Sequence, residues 1–537
     1  MKPRGRVFAP IWCATSLLFL LAVHLTRPAI ILALATASAS GSARPTVVVT
    51  GATGRVGSRL VRALLREDAP NVDVVALVRD AAKARSMFAL PSASPGDDEG
   101  EEGTAPLPPS LSVLEADYGD ASAVEAALAE AAEKCGGGES SPLRLFLACG
   151  NVPNQPQLEL NVARAACDRG ADFCVKLSTA SPLLEDGSES TTHGKKKEGS
   201  MGYGHSAVEA VLRKELSDRG MKAAILRPNI FMQQIADPGL FGLDDLRDSD
   251  QASHPFAERG VSMIDCEDVA ACAAAMLSGD ANTKPAETFG GKVFDLTGPE
   301  AVELGNGSVF EQALSSVRPR PVRIEPCTVS DRLEACGIPP GPGSDSLHSF
   351  LDTIGSYSDV TDTVPTLLGR PARSARDFIL DNSVPFLPRK FTRLVGTRRS
   401  ESFREAARVA EASLDDEIEA LAEDEILIRV RAAGVNGGAD TFDCTRAAED
   451  ARDFPLGHEG AGIVVAAGKG AERFRPGDVA VFVGSGGYGE YIKVKERMCA
   501  RGDLSPDASP EELAALRISA LTALVDGAGG AGEHGRD

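Results

Sequence analysis

The stretch PTVVVTGATGRVGSRLVRALLR, residues 45–66, decides the fold of the first part of the chain. A run of β-branched residues is followed by Gly51, Gly54 and Gly57, and then by apolar residues at helical spacing. Glycines permit a tight turn and a close backbone approach, while a helix N-terminus offers free N–H groups and a positive dipole end to a pyrophosphate. This order therefore predicts a dinucleotide-binding turn. The alternative is that the glycines only close a connection between a strand and a helix.

The backbone of this turn is the predicted cradle of a dinucleotide pyrophosphate. Its residues are Gly51, Thr53, Gly54, Arg55, Val56 and Gly57. The next strand ends at Arg79, near the position where NAD-binding folds place an acidic residue on the ribose hydroxyls. An arginine there favours a 2′-phosphate, so we predict NADPH as the cofactor. NADH stays open because Asp80 is adjacent.

Further strand patterns occur at residues 111–114 and 143–148, with helical patterns between the strands. This alternation predicts an α/β fold. Residues 91–110 are rich in proline, glycine and acidic residues and are interpreted as a solvated insertion. The polar residues 185–200 are interpreted as a surface loop, with a lid over the site as the alternative.

Residues 45–383 resemble the NmrA-like, atypical branch of the short-chain dehydrogenase/reductase superfamily. The motifs that carry the resemblance are VVVTGATGRVGSRLVRALL (47–65), ALVRD (76–80), LEADYGD (114–120), VKLSTAS (175–181), ILRPNIFMQ (225–233) and FDLTGPE (294–300). The resemblance implies a doubly wound parallel sheet, NAD(P) along the strand ends and a small substrate lobe near residues 225–383. It also implies that Asp117 lies near the adenine, and that Cys149, Ser178 and Pro228 line the nicotinamide side.

Candidate catalytic residues lie in the segment around Tyr203. Ordinary short-chain dehydrogenases use a Tyr-x-x-x-Lys pair, but Tyr203 is followed four places later by Ala207. His205 and Glu209 are spaced to share one helix face, so His205 is a candidate proton donor and Tyr203 its candidate neighbour in catalysis. The alternative is that Glu209 merely holds the histidine in place.

Similar enzymes in this branch reduce quinones by hydride transfer, whereas others bind the dinucleotide as redox sensors. We therefore predict an NAD(P)H-dependent oxidoreductase that transfers hydride to a quinone or a conjugated carbonyl such as an enone. The alternative function is a non-catalytic NAD(P)-binding sensor that interacts with a protein partner. The predicted partner is a small-molecule substrate, and homo-oligomerisation is left open.

Residues 384–525 form a second predicted domain, which is mainly β. Period-two alternation with glycine turns indicates a compact, barrel-like lobe. The motifs RAAGVNGGADTF (431–442), GHEGAGIVVAAG (457–468) and GGYGEYIKV (486–494) resemble the GroES-like N-terminal lobe of medium-chain dehydrogenase/reductases, in the quinone oxidoreductase and prostaglandin reductase branch. Asn436 stands where zinc enzymes of that superfamily place a cysteine, so only His458 remains at a ligand position and no metal is predicted.

The last residues, 526–537, are a glycine-rich tail without a strand before it. A second dinucleotide fingerprint is missing from the C-terminal lobe. We therefore interpret the lobe as a remnant, a truncated reading frame, or a substrate or dimerisation module attached to the first domain.

Residues 1–44 are interpreted as a targeting segment of the signal or transit kind. They carry basic residues and an apolar run at 11–23, whereas the first acidic residue of the chain is Glu67. His24, Arg27 and Pro28 interrupt the apolar run before it reaches the length of a membrane span. We expect an organellar location, with the plastid favoured. The alternatives are the secretory pathway and membrane attachment through an uncleaved leader.

Composition excludes further classes of protein. Lys and Arg number 56 against 77 Asp and Glu, and the formal charge of −21 would repel a phosphate backbone, so no nucleic-acid partner is predicted. The 11 cysteines include no C-x-x-C pair, which favours reduced thiols over a disulfide framework.

Overall fold

The computed structural model describes residues 44–66, 72–90, 106–134, 141–150, 152–180, 201–278, 284–435, 443–446, 453–502 and 512–514. Most of the predicted targeting segment and acidic insertion, all of the 185–200 loop and all of the glycine-rich tail lie outside the described residues. None of the described helices is both long enough and apolar enough to span a bilayer.

The first lobe is built on a seven-stranded sheet in the order β3-β2-β1-β4-β5-β6-β9, in which every pairing is parallel. This confirms the predicted doubly wound sheet. Its strands are β1 (Thr46–Thr50), β2 (Asp73–Val78), β3 (Leu111–Glu115), β4 (Leu143–Leu147), β5 (Phe173–Leu177), β6 (Lys222–Pro228) and β9 (Val293–Leu296).

Helices cover both faces of this sheet, so its strands are continuous apolar runs. The helices that follow the strands are α1 (Arg55–Leu64), α2 (Ala81–Phe88), α3 (Ala121–Lys134), α4 (Gln155–Asp168), α5 (Met201–Val211), α6 (Met232–Ala236), α7 (Cys266–Leu277) and α8 (Pro285–Phe289). A π-helical turn, Leu212–Leu216, follows α5. Because successive side chains point to opposite faces, Val47 and Val49 join one buried cluster and Val48 joins the other.

A smaller lobe sits beyond the carboxyl end of β6. Its short strands β7 (Gln251–His254) and β11 (Arg323–Pro326) pair in parallel, while β8 (Val261–Ser262) and β10 (Ala301–Val302) pair antiparallel. Its helices are α9 (Val309–Val317), α10 (Val329–Ala335), α11 (Pro342–Ile354), α12 (Thr363–Leu368) and α13 (Ala375–Asp381). Most of these elements surround an apolar cluster of their own, separate from the two clusters of the sheet.

The C-terminal lobe is mainly β, as predicted. A five-stranded antiparallel sheet has the order β18-β14-β16-β17-β19, and a three-stranded sheet has the order β13-β12-β15. The strands are β12 (Lys390–Gly396), β13 (Ala407–Ser413), β14 (Glu425–Ala433), β15 (Phe454–Pro455), β16 (Glu459–Ala467), β17 (Val479–Val483), β18 (Tyr491–Lys495) and β19 (Cys499–Arg501). Two short helices, α14 (Phe403–Ala406) and α15 (Leu414–Glu419), flank β13.

The C-terminal lobe shares a buried interface with the smaller lobe. One apolar cluster takes Val317 from α9 together with Phe391, Leu427 and Tyr491 from the C-terminal sheets. The Tyr491 hydroxyl donates a hydrogen bond to the Val317 carbonyl at 2.9 Å. A second crossing bond runs from the Ser383 hydroxyl to the Val465 carbonyl at 2.8 Å, so the lobes meet through core contacts as well as surface contacts.

Candidate functional site

The glycine turn lies at the carboxyl end of β1, where the sequence predicts the pyrophosphate cradle. Gly51 has a φ of +60°, a conformation that L side chains rarely adopt, and the Gly54 amide donates to the Gly51 carbonyl at 2.9 Å. A Cβ at position 57 would lie 2.2 Å from the Gly51 oxygen, so the close crossing of turn and helix needs glycine there. Gly54 is the N-cap of α1 and has no side chain to cap the first-turn amides. The turn therefore suits an anionic ligand.

The other predicted cradle residues belong to the same turn. Thr53 is half-buried, and Val56 is buried in the apolar cluster beneath α1. Arg55 is the first residue of α1, and its guanidinium pairs with Asp237, just beyond α6. This ion pair links the glycine turn to the segment that leads into the smaller lobe.

Tyr118 is a residue of this site that the sequence reasoning missed. Its phenol donates a hydrogen bond to the Leu77 carbonyl at 2.5 Å and accepts one from the Gly51 amide at 3.3 Å. Burial raises the pKa of Tyr118 to about 12, so the phenol keeps its proton. The signal was an aromatic residue directly after the Asp117 prediction in the LEADYGD motif.

Asp117 and Arg79 occupy the ends of β3 and β2, as the motifs predict. The Asp117 carboxylate accepts the Gly119 amide at 2.9 Å and thus closes its own turn. Asp80 caps α2 by accepting the Lys83 amide at 2.9 Å. Asp80 is thus engaged by its own helix, whereas Arg79, which directly follows β2, is exposed.

The three residues predicted on the nicotinamide side lie at neighbouring strand ends. Cys149 comes two residues after β4, Ser178 directly follows β5, and Pro228 is the last residue of β6. The Ser178 amide donates to the Leu226 carbonyl at 2.7 Å, which holds these strand ends together. Burial raises the pKa of Cys149 to about 11, so its side chain is a thiol rather than a thiolate at neutral pH.

His205 and Glu209 do not pair as their helical spacing suggested. Glu209 accepts a hydrogen bond from the Ser178 hydroxyl at 2.5 Å and an ion pair from Arg227, also at 2.5 Å. His205 instead contacts Gln155 at 3.1 Å and Lys176 at 3.2 Å. The expectation that Glu209 holds the histidine was therefore wrong, because the neighbouring strands β5 and β6 supply better partners for both side chains.

The environment of His205 also defines its protonation. The side chain is buried, and burial together with the Lys176 charge lowers the pKa of His205 to about 2. At neutral pH the ring is an uncharged imidazole that can donate or accept a hydrogen bond but is not an imidazolium acid. The backbone of Tyr203 lies in α5, two residues before His205. The catalytic role of either residue stays a prediction.

His458 in the C-terminal lobe lies 2.8 Å from a carboxylate oxygen of Asp443. Among the described residues no group of three or more His, Cys, Asp or Glu side chains is arranged to hold a metal ion. No disulfide joins the cysteines within the described part of the chain.

Comparison with protein-family models defines the two classes of domain in this chain. Residues 47–230 match the NAD dependent epimerase/dehydratase family, and residues 422–504 match the alcohol dehydrogenase GroES-like domain. The two matches confirm the pair and the order predicted from the motifs, a dinucleotide-binding domain followed by a GroES-like domain.

Two of the similar curated proteins match this chain over nearly their whole length, and a third matches over part of its length. An NAD(P)H azoreductase of Xenophilus azovorans is 28% identical over 63% of this chain and 99% of its own length. The (4-alkanoyl-5-oxo-2,5-dihydrofuran-3-yl)methyl phosphate reductase of Streptomyces griseus is 26% identical over 64% of this chain and 99% of its own length. A probable quinone oxidoreductase of Leishmania amazonensis is 31% identical over 26% of this chain and 39% of its own length. The relation to NAD(P)H-dependent reductases is thus confirmed, while the acceptor differs among the relatives.

Solved structures of similar fold include an NADPH-dependent quinone oxidoreductase of Escherichia coli in complex with NADPH. It is 21% identical, covers 62% of this chain and 98% of its own, and has a TM-score of 0.43. The triphenylmethane reductase of Citrobacter sp. in complex with NADP(H) is 16% identical over 62% of this chain and 98% of its own, with a TM-score of 0.44.

Proposed function

We propose that residues 45–383 form an NAD(P)H-dependent reductase that transfers hydride to a quinone or a conjugated carbonyl compound. The observation that carries the proposal is the glycine turn at the carboxyl end of β1, beside the point where the strand order changes direction between β1 and β4. Open α/β sheets bind their ligands in the crevice at such a point. The bacterial relatives that match nearly end to end are reductases, which supports the same class of reaction.

The residues of the turn fit a dinucleotide. The uncapped first turn of α1 presents backbone N–H groups. A side chain at position 57 would clash with the Gly51 carbonyl, so the turn and the helix can approach this closely only with glycine there. The Tyr118 hydroxyl connects the Gly51 amide to the Leu77 carbonyl of β2, so the turn is preorganised relative to the sheet. Bound NADPH would supply the hydride in this reaction.

NADPH in preference to NADH is part of this proposal. Arg79 stands exposed at the end of β2, and the neighbouring carboxylate of Asp80 is engaged by α2. A guanidinium favours a 2′-phosphate, whereas a free carboxylate at this position would favour the ribose hydroxyls.

The residues around the strand ends suit hydride transfer more than acid–base chemistry. At neutral pH His205 is uncharged and Cys149 is protonated, so neither side chain is a strong acid or base. Reduction of a quinone to a hydroquinone takes one hydride from the cofactor and one proton from the solvent. Such a step depends on alignment and on hydrogen bonds to the acceptor rather than on an enzyme base.

The experiment is a fluorescence titration of the full chain with NADPH, followed by NADPH oxidation assays with simple quinones, enones and an azo compound. The disrupting variant is Gly57→Ala, in which the new Cβ blocks the turn, and its matched control is Gly343→Ala. Oxidation that requires both the acceptor and an intact turn supports the reductase. Tight binding without oxidation by any acceptor would favour the sensor, and no binding would overturn both.

We propose further that the C-terminal lobe is a fixed structural module of this reductase rather than a second reductase. Its support is the shared apolar cluster with Val317 and the two buried hydrogen bonds that cross the interface. A lobe held by buried contacts adds to the stability of its neighbour. The module would therefore brace the smaller, substrate-side lobe.

An organellar location, with the plastid favoured, remains a proposal from the sequence of residues 1–44. Imaging of the full chain with a C-terminal fluorescent tag tests it. Retention of the tag outside every organelle would overturn it.

A further inference from the structure

A buried polar cluster lies at the carboxyl end of β5, two residues before Ser178. We call it the Lys176 cluster. Lys176 comes from β5, Gln155 and Glu159 from α4, and His205 from α5, and all four are at least nine-tenths buried. The ion pair between Lys176 and Glu159 has a distance of 2.9 Å, and both of its side chains are 0% exposed. Buried charges are costly to keep, so their partners must be accounted for.

The donors of Lys176 are completely used within the cluster. A lysine ammonium has three N–H donors and no acceptor. One reaches Glu159 Oε1 at 2.9 Å, one reaches the Leu177 carbonyl, and one faces His205 Nδ1 at 3.2 Å. Because Lys176 can only donate, the Nδ1 atom that faces it must be the unprotonated nitrogen of the ring. The proton of a neutral His205 then lies on Nε2.

We propose that Lys176 is a positioning residue that fixes His205 as the neutral tautomer with its proton on Nε2. In this state the ring offers one hydrogen-bond donor, which would polarise the oxygen of a bound acceptor. No proton leaves the ring during the reaction, and the proton of the reduced product comes from water. This last part rests on the proposed reductase function, whereas the tautomer does not.

Titratable groups from four parts of the fold surround the Lys176 cluster. Lys176 on β5 presents a positive charge, and Glu159 on α4 is neutralised by that same lysine. Glu209, on the histidine's own helix, is bound to Ser178 and Arg227. Cys149, two residues after β4, interacts electrostatically with Glu159 and Lys176 and is a neutral thiol at physiological pH. Each carboxylate among these groups is already paired with a cation, Glu159 with Lys176 and Glu209 with Arg227.

The decisive measurement uses the unmodified full chain with ¹⁵N-labelled histidine and no cofactor. Long-range ¹H–¹⁵N spectra distinguish a protonated from an unprotonated ring nitrogen, and loss of the signal in His205→Gln assigns it among the seven histidines. The expected result is an unprotonated Nδ1 and a protonated Nε2, unchanged between about pH 5 and 8. A proton on Nδ1, or titration within that range, would overturn the proposal even if the chain proved to be an active reductase.

A pair of variants tests the role of the lysine itself. In Lys176→Met combined with Glu159→Gln, which leaves no unpaired buried charge, His205 should become a mixture of tautomers or titrate. Lys176→Arg should keep the tautomer, and Lys222→Met, at the exposed start of β6, should leave the spectrum unchanged. In the double variant the kcat for quinone reduction should fall about tenfold or more while the KM for NADPH stays the same. An unchanged His205 spectrum in a folded double variant would show that Lys176 does not set the tautomer.

Discussion

Tyr491, on the C-terminal sheet, donates a hydrogen bond to the carbonyl oxygen of Val317 at the end of α9, 2.9 Å away. The tyrosine is 2% exposed, and its ring meets Phe391 edge-on with 5.7 Å between the ring centroids. One side chain thus joins the apolar and the polar parts of the contact between the two lobes. This contact is the reason to regard the GroES-like lobe as a brace.

Tyr491→Phe should lower the free energy of unfolding by about 1 kcal/mol, because the buried Val317 carbonyl loses its donor while the apolar contact remains. Urea unfolding followed by circular dichroism measures the change. Val409→Ala, at a position that is 69% exposed, serves as the control and should have no effect. A stability of Tyr491→Phe equal to that of the control would mean that the interface contributes little.

Gly57→Ala should weaken NADPH binding by a factor of about 100 or more, since the added methyl group meets the Gly51 carbonyl at 2.2 Å and forces the turn apart. Fluorescence titration measures the affinity. Gly343→Ala provides the matched control, because a Cβ there meets nothing within 4 Å. Equal affinities of the two variants would show that the turn does not hold the dinucleotide.

Arg79→Ala should reduce the affinity for NADPH by about 2 kcal/mol, or about 30-fold, and leave the affinity for NADH unchanged. The physical reason is the loss of a charge-assisted hydrogen bond to the 2′-phosphate. Arg85→Ala, on the exposed face of α2, is the control for a general loss of positive charge. An equal loss of affinity for NADPH and NADH would contradict the assignment of Arg79 to the 2′-phosphate.

Asp237→Asn should raise the affinity for NADPH, because Arg55 pairs with Asp237 in the absence of a ligand and this pair competes with the pyrophosphate. Both side chains are about half exposed, so we expect a change of only two- to fivefold, largest at low ionic strength. Titrations at two salt concentrations test this. In an Arg55→Ala background the same substitution should have no effect, and an equal gain there would contradict the competition.

Stability should decrease as the pH falls below neutrality. Burial lowers the pKa of His205 to about 2 and that of His254 to about 3, from an ordinary value of 6.5. Below pH 6.5 these two histidines therefore bind protons in the unfolded chain but stay unprotonated in the folded chain. The free energy of unfolding then falls by up to about 1.4 kcal/mol per pH unit for each histidine.

Urea unfolding at several values between about pH 5 and 7.5 measures this slope. His254→Gln should remove about half of it, because one of the two buried neutral histidines is then absent. A stability that does not change over this range would contradict the neutral, buried state of both histidines.

Much of the first lobe could be predicted from local sequence. The β-branched run, the glycines and the helix pattern in residues 45–66 all report on contacts between near neighbours in the chain, and the structure places them as predicted. The two domain types were recognised in the same way, because their motifs encode turns and strands that each form locally.

The partners of buried polar side chains could not be predicted in this way. Helical spacing placed His205 beside Glu209, but the spacing says nothing about what the adjacent strands present to the same helix face. Lys176 lies 29 residues before His205 in the chain, and Ser178 lies 31 residues before Glu209. These pairings arise only when β5 and α5 come together.

The sequence by itself determined the strand, glycine turn and helix of the dinucleotide site and the β-rich character of the second lobe, since each of these depends on local backbone preferences and on the period of apolar residues. Only the tertiary structure decided which buried polar and charged side chains pair with each other. It buried Lys176 against Glu159 and His205, turned Glu209 toward Ser178 and Arg227, and set Tyr491 against Val317. A buried polar group must be satisfied by whatever the packed elements bring within reach, and that is fixed by the fold as a whole.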